Sequence, residues 1–137
     1  MTYHEMMIKP MREEVTRLGL KELKTPAEVD AAVKQSGTTL IFVNSVCGCA
    51  AGGARPGLRL SLMNAKKPTN MVTVFAGMET QAVEKAREFF KPYRPSSPQI
   101  ALFKDGKLVK MVQRQDIEGK DPATIAKSLS EAFNEHC

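Results

Sequence analysis

The sequence predicts an α/β fold, a four-stranded mixed sheet flanked by helices in a single domain over residues 1–137. Three observations carry that expectation. The run Thr38-Thr39-Leu40-Ile41-Phe42-Val43 is continuously apolar in character, as a strand covered on both faces requires. A helical segment separates it from a second such run, Met71-Val72-Thr73-Val74-Phe75-Ala76, and a strand, helix, strand series closes as a right-handed parallel crossover. Lys104-Asp105-Gly106-Lys107 then stands between two further apolar runs, and Asp-Gly in that setting signals a hairpin.

In chain order, residues 3–18 show helical periodicity with Met6, Met7, Pro10, Met11, Val15 and Leu18 on one side, Pro10 kinking or dividing the helix and Gly19 stopping it. Thr25-Pro26-Ala27-Glu28 is a capping box with proline at the first helical position, opening a second helix that runs to about Ser36 and closes at Gly37. The first strand spans residues 38–44, and a helix with Pro56 inside it follows over residues 50–65. After the second strand comes an amphipathic helix over residues 79–90, then the proline-rich loop of residues 91–98. Gln99-Ile100-Ala101-Leu102-Phe103 and Leu108-Val109-Lys110-Met111-Val112 form the hairpin strands, and Asp121-Pro122 caps and opens a final helix carrying Ile125, Ala126, Leu129 and Phe133 inward.

With 42% hydrophobic residues in 137, the chain has material for one real core and is too short to suggest two. No stretch has the length of a membrane-spanning helix, and Met1-Thr2-Tyr3-His4-Glu5 lacks the basic and then apolar pattern of a secretory signal, so the expected location is cytoplasmic. The 20 Lys and Arg are dispersed among 15 Asp and Glu, and two Tyr with no Trp leave no basic and aromatic tract for nucleic acid. A mild positive field remains, suited to drawing in anionic thiols or acidic clients. The eight Met read as core filler rather than as a metal site.

Chemistry concentrates at Cys47-Gly48-Cys49, directly after the first strand. Joining residues i and i+2 through sulfur closes a ring of about eleven atoms, against about fourteen for Cys-x-x-Cys, so a good disulfide dihedral is harder to reach. A strained disulfide is more easily reduced and therefore more oxidising. Gly48, with no Cβ, can take the backbone angles that such a link demands. Three cysteines are too few for a disulfide framework, and a close pair in a cytosolic protein points to redox use. Two plainer readings compete: small buried hydrophobes, or half of a soft-metal site whose other ligands could come only from His4, His136 and Cys137 at the chain ends. No metal is expected.

The layout and the motif are those of the thioredoxin-like fold, with strand order 2-1-3-4 and extra N-terminal helices. Asn44-Ser45-Val46-Cys47-Gly48-Cys49-Ala50-Ala51-Gly52, with Ala54-Arg55-Pro56, Val72-Thr73-Val74-Phe75-Ala76-Gly77, Ser96-Ser97-Pro98 and the C-terminal His136-Cys137, closely resembles the bacilliredoxin family over residues 3–137. The resemblance implies a thiol–disulfide oxidoreductase that removes bacillithiol, a low-molecular-weight thiol, from mixed disulfides on cytosolic proteins. Cys47 would attack and Cys49 would resolve. No resident cofactor is implied; bacillithiol or a similar thiol is the co-substrate. The partners implied are S-thiolated or disulfide-bonded client proteins, with the enzyme a monomer or weak homo-oligomer. A general disulfide isomerase or weak reductase, and a Cys-Gly-Cys metal-binding or thiol-sensing module without turnover, are the alternatives.

The residues themselves agree with that order of attack. Cys47 lies just before a helix N-terminus, where unpaired N–H groups and the helix dipole stabilise a thiolate, while Cys49 turns into the helix and should be more covered. Pro98 opens a strand antiparallel to the first and so falls beside Cys47; the fold implies that its peptide bond is cis. Arg55, two turns along the helix, reads as a solvated or salt-bridged side chain, and Cys137 as a possible secondary thiol at a chain end.

Overall fold

The computed structural model describes residues 5–137. Its centre is β2 (Thr38–Asn44), buried along its whole length as the unbroken apolar run requires. Successive side chains of a strand point to opposite faces, so Ile41 and Val43 enter one core while Leu40 and Phe42 enter the other. On one side β3 (Asn70–Phe75) pairs with it in parallel, with Ile41 opposite Val72. On the other side β4 (Gln99–Lys104) runs antiparallel, with Val43 opposite Gln99, and β5 (Lys107–Val112) completes the hairpin at the outer edge. Asp105 and Gly106 both take positive φ in its turn, as Asp-Gly turns do.

The sheet has five strands where four were expected. Lys21–Glu22, here β1, adds a short parallel strand outside β3, giving the order β1-β3-β2-β4-β5. Two charged residues carry no hydrophobic pattern to read, yet a short charged strand is how an exposed sheet edge is blunted. The remaining four strands keep the expected 2-1-3-4 order.

Helices α2 (Pro26–Val33) and α4 (Thr80–Glu88) cover one face, around Val29, Val33, Val83 and Phe90. The Thr25 capping box is formed: Thr25 Oγ1 accepts from the Glu28 N–H at 3.2 Å, and the Thr25 N–H donates to Glu28 Oε1 at 3.1 Å. The other face carries α1 (Glu5–Thr16), α3 (Arg55–Ser61) and α6 (Pro122–His136), packed through Val15, Leu58, Ile125, Leu129 and Phe133. The Asp121 side chain accepts from the Thr124 N–H at 2.8 Å and caps α6.

Three helical expectations change. α1 is one helix containing Pro10, with Tyr3 and His4 outside the described residues. Its inward stripe is Ile8, Arg12 and Val15, while Met6 and Met7 are 77% and 52% exposed. Met63 is likewise 80% exposed, so methionine is not uniformly core filler. The helix expected over residues 50–65 is a π-helical turn, Ala50–Ala54, leading into α3. A further turn, α5 (Arg114–Ile117), follows β5 and buries Ile117.

Candidate active site

Helical structure resumes at Gly48, so Cys47 sits as the residue before the first turn. Its carbonyl accepts from the N–H groups of Ala50 and Ala51 at 3.1 and 3.2 Å, which fixes the Cys-Gly-Cys segment as that turn. Both thiols are free, half-buried, and 2.6 Å apart sulfur to sulfur. The contrast in cover expected between them is absent: Cys49 packs against the core that holds Val15, Ala54 and Leu58, yet it is half-buried like Cys47. Gly48 is exposed, lies outside the left-handed region, and would set an added Cβ against nothing within 4 Å. The dithiol form therefore makes no use of glycine's freedom at this position.

Their acidities diverge. Burial pushes the Cys47 thiol up, but hydrogen bonds from the Cys49 thiol, the Ser45 hydroxyl and the N–H groups of Ala50 and Cys49 outweigh it and leave Cys47 below the ordinary thiol range. Burial raises Cys49, and the neighbouring Cys47 thiolate raises it further, while Arg114 opposes the shift. One sulfur is thus prepared as thiolate and its neighbour as thiol, a pairing suited to sequential attack.

Beneath the loop lies a polar anchor. Arg55 is buried, only 3% exposed, and its Nη1 donates to Asn44 Oδ1 at 3.0 Å and to the Ser45 carbonyl at 2.8 Å. Its Nε pairs with Glu14 Oε2 on α1 at 3.2 Å. Asn44 Oδ1 also accepts from the Ser45 N–H at 2.9 Å, and Ser45 Oγ accepts from the Cys47 N–H at 3.1 Å. The salt-bridged reading of Arg55 holds; the solvated one does not. A π turn holds one more residue than an α turn, so residues after it are rotated by about 100° from a continuous helix. That phase change brings Arg55 back under Ser45 instead of out to solvent.

Pro98 is buried and follows a cis Ser97–Pro98 bond at the start of β4; Lys91–Pro92, earlier in the loop, is also cis. With Gln99 opposite Val43, Pro98 lies beside the end of β2 where the thiol loop begins. Arg87 on α4 donates to the Ser96 carbonyl at 2.8 Å and holds this loop from below.

Arg114 was not anticipated. It opens α5, its Nη1 donates to the Ser97 carbonyl at 3.4 Å, it pairs with Glu118, and the thiol pair adds to the retention of its charge. No motif marks it, because it reaches the site only when β5 ends beside the start of β4. The capping box that seats α5 uses Gln113 and Asp116, a pairing without the Ser or Thr that signals such boxes.

Cys137 is exposed and remote. Asn64 Nδ2 donates to Asn134 Oδ1 at 2.9 Å, tying the end of α6 to the end of α3 opposite Cys47, on the order of 20 Å away at 1.5 Å per residue. His136 shares that end, and His4 lies outside the described residues. Among the described residues no three His, Cys, Asp or Glu gather as metal ligands, and of the chain-end ligands His136 and Cys137 stand apart from the thiol pair. No described helix is long and apolar enough to cross a membrane.

A mixed sheet presenting an uneven dithiol at a helix N-terminus, beside a cis proline, defines a thiol–disulfide oxidoreductase of thioredoxin-like fold. Mitochondrial thioredoxin 3 of Saccharomyces cerevisiae shares that fold, with TM-score 0.57 and 17% identity over 86% of this chain and 96% of that one. At the sequence level the profile described as disulphide isomerase matches residues 3–137. A bacilliredoxin of Cytophaga hutchinsonii is 51% identical over 97% of this chain and 98% of its own, and one of Halalkalibacterium halodurans is 49% identical over 98% and 94%. The chain belongs to the bacilliredoxin family.

Proposed function

We propose that this enzyme removes a low-molecular-weight thiol of the bacillithiol type from mixed disulfides on cytosolic proteins, acting as one domain without a resident cofactor. The observation that carries the reading is the opposed acidity of two adjacent thiols, Cys47 below and Cys49 above the ordinary range. The Cys47 thiolate attacks the cap sulfur of the client disulfide, and the client cysteine leaves as a thiolate. Cys49 then loses its proton, attacks Cys47 Sγ, and expels the cap as a second thiolate. Two electrons have passed from the pair to the mixed disulfide, and the Cys47–Cys49 disulfide returns to dithiol at the expense of an external thiol reductant. Gly48 lets the short disulfide ring close, and Pro98 exposes backbone groups for the client segment.

The test is trapping. Incubated with a client capped by bacillithiol or by glutathione, Cys49→Ala is expected to accumulate a mixed disulfide on Cys47, seen by mass spectrometry, while Cys47→Ala accumulates almost none. Equal trapping by both variants would refute the assignment. The family's description as disulphide isomerase supports a second reading, a general isomerase. Repair of a scrambled multi-disulfide protein faster than release of either cap would favour it.

A further inference from the structure

We infer that the polar cavity between the cis-proline loop and α5 is a recognition subsite for the carboxylate of the small thiol that caps the client. The cavity holds about 270 Å³ and is lined by Arg94, Ser96, Gln113, Arg114, Gln115 and Glu118. It adjoins the redox centre through Arg114, which also donates to the carbonyl of Ser97, the residue joined to Pro98 by the cis bond. The charge of Arg114 reaches both sulfurs.

The walls are tied to one another before anything binds. Gln99, fully buried, donates to Gln113 Oε1 at 2.6 Å, and Ser96 Oγ donates to the same oxygen at 3.2 Å. Gln113 Nε2 donates to the Arg94 carbonyl at 3.3 Å, and the Arg114 N–H donates to Ser96 Oγ at 3.4 Å. A site fixed in this way spends little ordering on binding. Glu118 is the one acid in the lining and is already paired with Arg114. Arg94 carries an exposed guanidinium with no charge partner among the described residues. Two guanidiniums against one carboxylate leave the lining net positive, and a planar guanidinium binds a carboxylate in bidentate fashion.

This inference rests on the de-thiolation reading. While the cap is held on Cys47 its carboxylate sits against Arg94 and Arg114, and it leaves as a thiolate when Cys49 attacks Cys47 Sγ; the subsite changes the rate and not the electron count. The experiment uses one client protein capped either with glutathione or with glutathione diethyl ester, which has the same frame without the carboxylate charges. The full-length enzyme is expected to release glutathione faster, by roughly 1.5- to 5-fold for each arginine engaged. Arg94→Gln should lower that ratio and Arg94→Gln with Arg114→Gln should bring it to one. Any effect of Arg114 on thiol acidity is common to both caps and cancels in the ratio. A ratio of one for the parent enzyme, or an unchanged ratio in the double variant, overturns the subsite while leaving de-thiolation standing. With the same client capped by bacillithiol run alongside, release of bacillithiol but of neither glutathione cap overturns the subsite alone, and release of none of the three caps overturns the de-thiolation reading and the subsite with it.

Discussion

Cys47 owes its acidity to donors and not to exposure. Burial works against its thiolate, so the net lowering comes from the Cys49 thiol, the Ser45 hydroxyl and the helix-start N–H groups together. Below its folded pKa Cys47 is a protonated thiol and unreactive; above it the thiolate reacts, so alkylation rate against pH rises with a midpoint at that pKa. Resolved by peptide mass spectrometry, that midpoint in the parent enzyme should fall below the free-thiol value of about 8.5. Ser45→Ala should raise it, because a donor to the sulfur is lost while the burial remains. Cys49→Ala should raise it more, since the Cys49 thiol ranks first among the lowering groups. A midpoint unmoved by both changes would mean that the helix terminus alone sets it. The two cysteines were legible in the sequence because residue type and spacing announce their chemistry. Ser45 and Arg114 were not, since each acts through a hydrogen bond or a charge that exists only once the chain has folded.

At the scale of elements, the helix after the thiols joins α6 through two glycines. An added Cβ on Gly57 would lie 2.8 Å from Ile125 Cγ2, 2.9 Å from Ile125 Cβ and 3.3 Å from the Pro122 carbonyl, whereas one on Gly53 would come closest to side-chain ends, Ile117 Cγ2 and Ile125 Cδ1, at 3.2 Å, with the Ile117 carbonyl at an ordinary 3.8 Å. Gly57→Ala therefore forces α3 and α6 apart and should cost about 1–3 kcal/mol, the usual range for overpacking. Gly53→Ala should cost less, because methyl ends can turn aside. Combining Gly57→Ala with Ile125→Ala should return part of the loss, and a cycle of urea midpoints measures that coupling. Strictly additive losses would mean that Ile125 is not what Gly57 makes room for. Strands and caps were legible because apolar runs and Thr-Pro-Ala-Glu or Asp-Pro act locally. The π turn was not: Ala50-Ala51-Gly52-Gly53-Ala54 carries no side-chain pattern that counts five residues to the turn instead of four.

Across the whole molecule, α1 works as a strap over the ends of β2 and β3 that carry the site. Arg12 is buried on it because Glu79, at the start of α4, reaches it with two contacts of 3.0 and 2.5 Å. Glu5 pairs with it at 2.8 Å, Glu22 on β1 lies at 3.6 Å, and the Phe75 ring lies 5.2 Å below the guanidinium. One residue earlier, the Met11 carbonyl accepts from Asn44 Nδ2 at 3.0 Å, and Asn44 in turn holds Arg55 and the Ser45 N–H. The strap is thus continuous with the loop that carries Cys47. It is invisible to a periodicity that sets Met6 and Met7 on one side with Val15 and leaves Arg12 out, because a buried charge is explained only by a partner 67 residues away. Breaking a buried pair leaves its other member uncompensated, at about 3–5 kcal/mol. Arg12→Met should cost about 3 kcal/mol, the lower end, because Glu79 keeps the Phe75 N–H at 3.2 Å and Lys24 at 3.9 Å. Adding Glu79→Gln should recover part of that loss by removing the stranded charge. In Arg12→Met the Ser45 and Cys47 amides should also exchange hydrogen faster than those at the centre of β2, since the anchor above Asn44 is loosened first. An unfolding free energy from urea titration within about 0.5 kcal/mol of the parent, or exchange that quickens evenly along β2, would show that the strap does not bear on the site.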